Sequence, residues 1–361
     1  MRFREEVTIR AAQETLSHLS VFECMSASFQ QALSAHSNLA SEKHYIFAGR
    51  PTRIRVVGKR LAEYSFLPFS HLQMDHAHSD SFQLTIDLWD EAETGIPCPV
   101  GSHDVLIAQR TVTASPDSRF LIEQDPNALV SFDRKSRHFV CSFAFADKLV
   151  DRSKPLNRLL ALWYKDRGIP IIHAGLVADS DHGVLIAGSG GAGKSTLAMV
   201  CVHFGFDFLG DDQAGLERTA DGSFVGHSLY NSVRLNRDHL NNLFPQFLNV
   251  SHTDYFRDDK SAVFLSEVLP KQLRSVVPIR VLVLSRIVDA PNSRIYHVTK
   301  AEALSVLASS SIITMLGFDA NDVDQVASFV ERVPVYRIEL GYRMEEIPHL
   351  IRQLISEVPG K

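Results

Sequence analysis

The sequence predicts an α/β protein in which a β-rich N-terminal domain, residues 1–153, precedes a P-loop domain at 154–361. Three observations predict it. Between about 50 and 150, short apolar runs alternate with polar clusters, the pattern of strands and turns. Beyond Pro155, strand-like and helix-like runs alternate. Between two of those runs stands a complete G-x-x-x-x-G-K-[ST] phosphate loop at 188–195.

Each element has its own local signal. Phe22, Met25, Phe29 and Leu33 are spaced as on one face of a helix. Residues 54–57, 82–89, 105–108, 120–122, 128–132 and 138–143 read as strands. His71, His76 and His78 lie among Asp75 and Asp80, which suits a solvated loop better than a metal site. Pro155 opens an amphipathic helix carrying Leu156, Leu159, Leu160 and Trp163, and Gly168 closes it. A strand at 171–172 comes next, then one at 183–187, a helix at 194–204 ended by Gly205, and a strand at 206–209. Asp221-Gly222 marks a hairpin turn. A strongly apolar strand fills 276–285, helices 299–314, 320–332 and 345–357, and a strand 335–340.

Composition narrows the function classes. The 361 residues exceed one typical domain, and 45% hydrophobic with 22% charged residues is ordinary for a globular chain. A net charge of −5 gives no reason to expect nucleic acid or an anionic membrane as partner. Cys24, Cys98, Cys141 and Cys201 form no C-x-x-C pair and suit buried thiols in a reducing compartment. No apolar run approaches 18 residues and no signal-peptide core comes after Met1, so a cytoplasmic protein is expected.

The chemistry gathers at the loop. Gly188, Ser189, Gly190, Gly191, Ala192 and Gly193 would cradle phosphates with backbone N–H groups at a helix N-terminus, continued by Lys194, Ser195 and Thr196. Lys194 would reach the terminal phosphates of ATP, and the Ser195 hydroxyl would ligate Mg²⁺. Asp211 and Asp212 come after the strand at 206–209 and can divide two jobs: one accepts a proton, the other holds the metal. His173 precedes the loop at a spacing that returns the chain beside it.

This set resembles the catalytic domain of HPr kinase/phosphorylase, which phosphorylates a serine of a phosphocarrier protein. His173, the 188–195 loop, Gly205 and Asp211-Asp212 match that family's spacings, and Ser232-Val-Arg234 is similar to the segment after its aspartates. The wider set of related serine kinases, including those acting on lasso-peptide precursors, is similar in its Gly-Lys-Ser-Thr loop. Where the family usually carries an acidic residue after the loop serine this chain has Thr196, and the Glu-Ile-Arg-Gly signature is missing apart from Arg234. The resemblance implies a phosphoenolpyruvate-carboxykinase-like α/β fold and transfer of the γ-phosphoryl group of ATP to a serine hydroxyl. It implies Ser195 and Asp212 on Mg²⁺, Asp211 as base with His173 beside it, and Arg234 and Lys260 as further phosphate contacts. Lys260 stands after Asp258 and Asp259 and ahead of a strand. The acceptor would be a peptide or protein, over which the β-rich domain could close, and relatives are often homo-oligomers. Alternatives are a small-molecule kinase and a nucleotide-binding regulator without transferase activity. An energy-coupling ATPase is disfavoured, because the acidic pair stands too close to the loop for a Walker-B strand.

Overall fold

The computed structural model describes residues 17–74, 82–100, 111–125, 127–146, 152–253, 260–315 and 317–358. The strand expected at 105–108, His76, His78 and the acidic residues Asp75, Asp80, Asp258 and Asp259 lie outside them. In chain order the first elements are α1 (His18–Ala35), β1 (Ala40–Phe47), β2 (Arg50–Val57), α2 (Lys59–Phe66), β3 (Leu84–Asp90), α3 (Glu91–Thr94), β4 (Thr111–Ala114), β5 (Phe120–Asp125), β6 (Ala128–Asp133) and β7 (His138–Phe143). Next come α4 (Asn157–Lys165), β8 (Ile171–Ile172), β9 (Gly175–Asp179), β10 (His182–Ala187), α5 (Lys194–His203), β11 (Asp207–Gly210), β12 (Ala214–Arg218), β13 (Phe224–His227) and β14 (Ser232–Asn236). The last are α6 (Arg237–Leu243), β15 (Ser251–Thr253), β16 (Lys260–Phe264), α7 (Leu265–Val268), β17 (Val276–Ile287), β18 (Arg294–His297), α8 (Lys300–Thr314), α9 (Ala320–Arg332), β19 (Val335–Leu340) and α10 (Ile347–Glu357).

The fold is mixed α/β. Its residues group into two units: Met1–Glu42, Arg53–Leu61 and Gln83–Leu149 in one, and Lys43–Thr52, Ala62–Phe82 and Val150–Lys361 in the other. A single cut at 153 therefore leaves two short stretches of the N-terminal half on the wrong side. Side-chain and backbone contacts explain it. The Asn231 amide donates to the Leu67 carbonyl, and the Phe69 ring lies 5.2 Å from that of Tyr230.

A seven-stranded sheet runs in the order β1-β2-β3-β7-β6-β5-β4. In the first unit, α1 buries Val21, Met25 and Phe29 against Val57, Trp89 and Val140, the helical stripe expected from the sequence. Beside this core Asp87 takes a bidentate hydrogen bond from Arg55 and contacts His138 at 2.7 Å, so its buried charge is paired.

The second unit is built on a sheet with the strand order β11-β9-β10-β17-β13-β12-β8, and β19 and β18 extend it from β17. β10 is parallel to β17, and β17 to β19, so their carboxyl ends lie at one edge. Both faces are covered. Val184 and Ile186 of β10 pack with Leu197 of α5 and Ile351 of α10, while Leu185 and Ala187 pack with Leu307 of α8 and Phe329 of α9. A strand buried on both faces has no polar face to show, which is why 183–187 reads as a continuous apolar run. A smaller sheet, β14-β16-β15, stands beside it.

Candidate functional site

Residues 188–193 join β10 to α5 at the carboxyl edge of the large sheet. The turn depends on glycine at two places. A Cβ on Gly188 would lie 2.9 Å from Ser285 Oγ, and Gly193, the residue capping α5, has φ +89° with Leu340 Cδ1 2.7 Å from where its Cβ would stand. Ser189, Gly190 and Gly191 are exposed, so the crest of the loop is open, and Ala192 and Gly193 are half-buried. Lys194 folds back into the loop, where its Nζ donates to the Gly188 carbonyl at 2.9 Å and that of Ser189 at 3.3 Å. Burial lowers its proton affinity, and the charges of Asp212 and Asp211 oppose that. Thr196 is buried at the start of the helix.

The two aspartates separate although they are adjacent in sequence. β11 delivers Asp211 to a buried position, where Oδ1 accepts from Ser195 Oγ at 2.8 Å and Oδ2 from the Arg234 backbone N–H at 3.2 Å. Asp212 takes φ +63°, a left-handed conformation costly for a side chain other than glycine. Its Oδ2 lies 3.2 Å from Lys154 Nζ and its Oδ1 3.5 Å from His173 Nε2. Burial and the neighbouring Asp212 charge raise the Asp211 pKa above the usual carboxylate range. Burial would do the same to Asp212, but Lys154 and then His173 outweigh it and hold that carboxyl well below the range.

The structure therefore brings His173, Lys194, Ser195, Asp211, Asp212 and Arg234 together, with a pairing different from the expected one. Ser195 contacts Asp211, not Asp212, and His173 contacts Asp212, not Asp211. The left-handed residue is the reason, since it turns two consecutive side chains toward different neighbours. Arg234 meets the site through its backbone N–H, while its guanidinium Nε donates to Ser153 Oγ at 3.0 Å. Lys260, at the start of β16, is near enough for its charge to act on Lys194.

Sequence reasoning passed over Lys154. Its side chain is 3% exposed, and the residues on either side of it are anchored. The Ser153 carbonyl accepts from Ser232 Oγ at 2.6 Å, and the Pro155 carbonyl from Tyr230 Oη at 2.8 Å. A single lysine in Ser153-Lys154-Pro155 has no motif, and the carboxylate partner that distinguishes it lies 58 residues away.

The donor set suits the groups expected. Ser195 and Asp211 offer hard oxygens, and among the described residues no cluster of three or more His, Cys, Asp or Glu could hold a metal. Two protein oxygens match a cation such as Mg²⁺, which keeps waters and phosphate oxygens in its shell. His173 Nδ1 is buried with no hydrogen-bond partner among the described residues, a polar atom facing an unfilled need.

No protein-family model matches this chain, and no characterised protein is significantly similar to it in sequence. Among solved structures it is similar to the HPr(Ser) kinase/phosphatase from Coxiella burnetii, at 13% identity, over 52% of this chain and 88% of that one, with a TM-score of 0.30. A likeness of that degree assigns no role to any residue here. No helix among the described residues is long and apolar enough to cross a membrane.

Proposed function

We propose that this chain is an ATP-dependent, HPr-kinase-like phosphotransferase that moves the γ-phosphoryl group to a serine hydroxyl of a peptide or protein in the cytoplasm. One observation carries the reading: beside a glycine-rich loop with its lysine and serine, two adjacent carboxylates have different partners. Asp211 faces the loop serine, and Asp212 faces a histidine and a buried lysine.

In this reading the amides of Gly188 to Gly193 and the Lys194 ammonium hold the phosphate chain, with Lys194 leaving its two carbonyl contacts to do so. Ser195 and Asp211 hold Mg²⁺, which neutralises phosphate charge when bound. Asp212, oriented by Lys154 and His173, receives the proton of the attacking seryl hydroxyl. The new O–P bond forms to the seryl oxygen while the bond to the ADP oxygen breaks. A loose transition state of this kind makes little demand on base strength and much on position, so an aspartate held in its ionised form suffices. Lys260 adds positive charge that acts on Lys194.

The test has two parts. Calorimetry with Mg·ATP should lose binding at least tenfold in Lys194→Ala and keep it within about threefold in Asp212→Asn. Co-expression with candidate peptides should add about 80 Da on a serine with the wild type and not with Asp212→Asn. Unchanged nucleotide affinity in Lys194→Ala sinks the site, and wild-type transfer by Asp212→Asn sinks the assigned base.

A further inference from the structure

The order of strands at the carboxyl edge gives the nucleotide a direction. β11, which ends at the two aspartates, is on one side of the loop strand β10, separated from it by β9. β17 and β19 are on the other side. An oligophosphate is linear, so if its reacting end points toward Asp211 and Asp212, the end bonded to the nucleoside must leave across the ends of β17 and β19.

That side carries an unusual surface. Ile287, the last residue of β17, is 54% exposed, yet its Cγ1 lies 3.1 Å from the place a Cβ on Gly193 would occupy. Its partner across the strands, Leu340 of β19, is buried and touches the same point. Two residues beyond Leu340, Tyr342 is 65% exposed, and its backbone N–H is fixed by the Ala290 carbonyl at 2.9 Å. Val288 N–H bonds the Leu340 carbonyl at 3.1 Å, so both chain ends leave the sheet together. An aliphatic side chain beside the phosphate loop, and a phenolic one two residues beyond its cross-strand partner, are thus left open on an anchored backbone.

We infer that Ile287 and Tyr342 form the nucleoside shelf of this site, the surface on which the base and ribose of a nucleoside triphosphate rest. The inference depends on the phosphate-site reading above and adds the subsite and its ligand chemistry: a flat heteroaromatic base held by apolar and aromatic contact. Such contact is strong enough to dominate nucleoside affinity and indifferent to the phosphates.

Inorganic tripolyphosphate supplies the contrast, because it carries the phosphates without the nucleoside. Full-length protein is titrated with Mg·ATP and with Mg·tripolyphosphate, as wild type, Ile287→Ser, Tyr342→Ala and Lys194→Ala. The shelf variants should weaken ATP about tenfold and change tripolyphosphate less than twofold, while Lys194→Ala weakens both. Tyr342 is the cleaner of the two sites, since no hydrogen bond involves its hydroxyl among the described residues. Unchanged ATP affinity in both shelf variants, or equal losses for the two probes, overturns the shelf and leaves the phosphate site standing. A wild type that binds neither probe overturns both.

Discussion

The contact between Lys154 and Asp212 can be weighed without knowing the acceptor. At 3.2 Å and an effective dielectric of about 20, the attraction of two unit charges is about 5 kcal/mol. Burying the lysine costs several kcal/mol of that, and Asp212, with 27% of its side chain exposed, keeps some water. Breaking a fully buried pair typically costs about 3–5 kcal/mol, because the survivor stays charged and unpaired. His173 remains beside Asp212, so Lys154→Met should destabilise the second unit by less, about 2–3 kcal/mol. A double-mutant cycle isolates the pair. Lys154→Met, Asp212→Asn and the combined variant are unfolded in urea and compared by linear extrapolation. Trp89 belongs to the first unit and Trp163 to the second, so a Trp89→Phe background leaves a reporter on the right one. The coupling should be about 1.5–2 kcal/mol. A value below about 0.5 kcal/mol would mean that Lys154 does not hold Asp212, and its part in orienting the proposed base would be withdrawn.

The same unit gives two further expected outcomes. Gly193→Ala must accept φ +89° and a methyl 2.7 Å from Leu340 Cδ1, so it should lose about 2–3 kcal/mol and bind Mg·ATP poorly. Gly190→Ala, with nothing within 4 Å of its added methyl, should melt within a degree or two of wild type. If the two variants melt alike, the loop is not held by that contact. His71 donates to or accepts from Ser228 Oγ through Nε2 at 2.7 Å, and its Nδ1 is buried without a partner among the described residues. Burial pushes its pKa down to about 3 from the ordinary 6.5. A depressed native pKa means stability that is whole above pH 6.5 and drains away as pH falls toward 3, because the unfolded chain takes up the proton first. Part of the ring surface still meets solvent, so the loss between pH 6.5 and 4 should be about 2 kcal/mol, less than the full linkage of about 1.4 kcal/mol per unit. His71→Gln should flatten the urea midpoint across that range, and an unchanged slope would show that His71 is not the group titrating.

Of the proposed site, the phosphate-loop half was legible in the sequence and the half around Lys154 was not, for a physical reason. Phosphate is held by consecutive backbone N–H groups on one tight turn, so the strand, glycines, lysine and serine must be contiguous, and a contiguous pattern can be read. The helices at 157–165, 194–203, 300–314 and 320–332 were readable for a similar reason, since their apolar spacing and caps are local. Lys154, by contrast, gains its place from Tyr230, Ser232 and Arg234, which hold its neighbours from a distant stretch of chain that runs into β14. The segments 43–52 and 62–82 join the second unit through contacts such as Asn231 with Leu67, which no local pattern announces. The two aspartates stand between these cases. Their identity was readable, but which one faces Ser195 depends on a single backbone angle at Asp212. That angle costs about 1–2 kcal/mol in most residues with a Cβ and less in aspartate, which enters the left-handed region more readily. Lys154 and His173 offset the cost by fixing the carboxylate it exposes, so the strained turn and the buried lysine are best understood as one device. Asp212→Gly should then relax the turn while losing the proposed base and leaving Lys154 buried and unpaired, so it should be less stable than wild type. It should nonetheless lose about 1 kcal/mol less than Asp212→Ala, which keeps the left-handed angle, and equal losses in the two would show that the angle carries no cost.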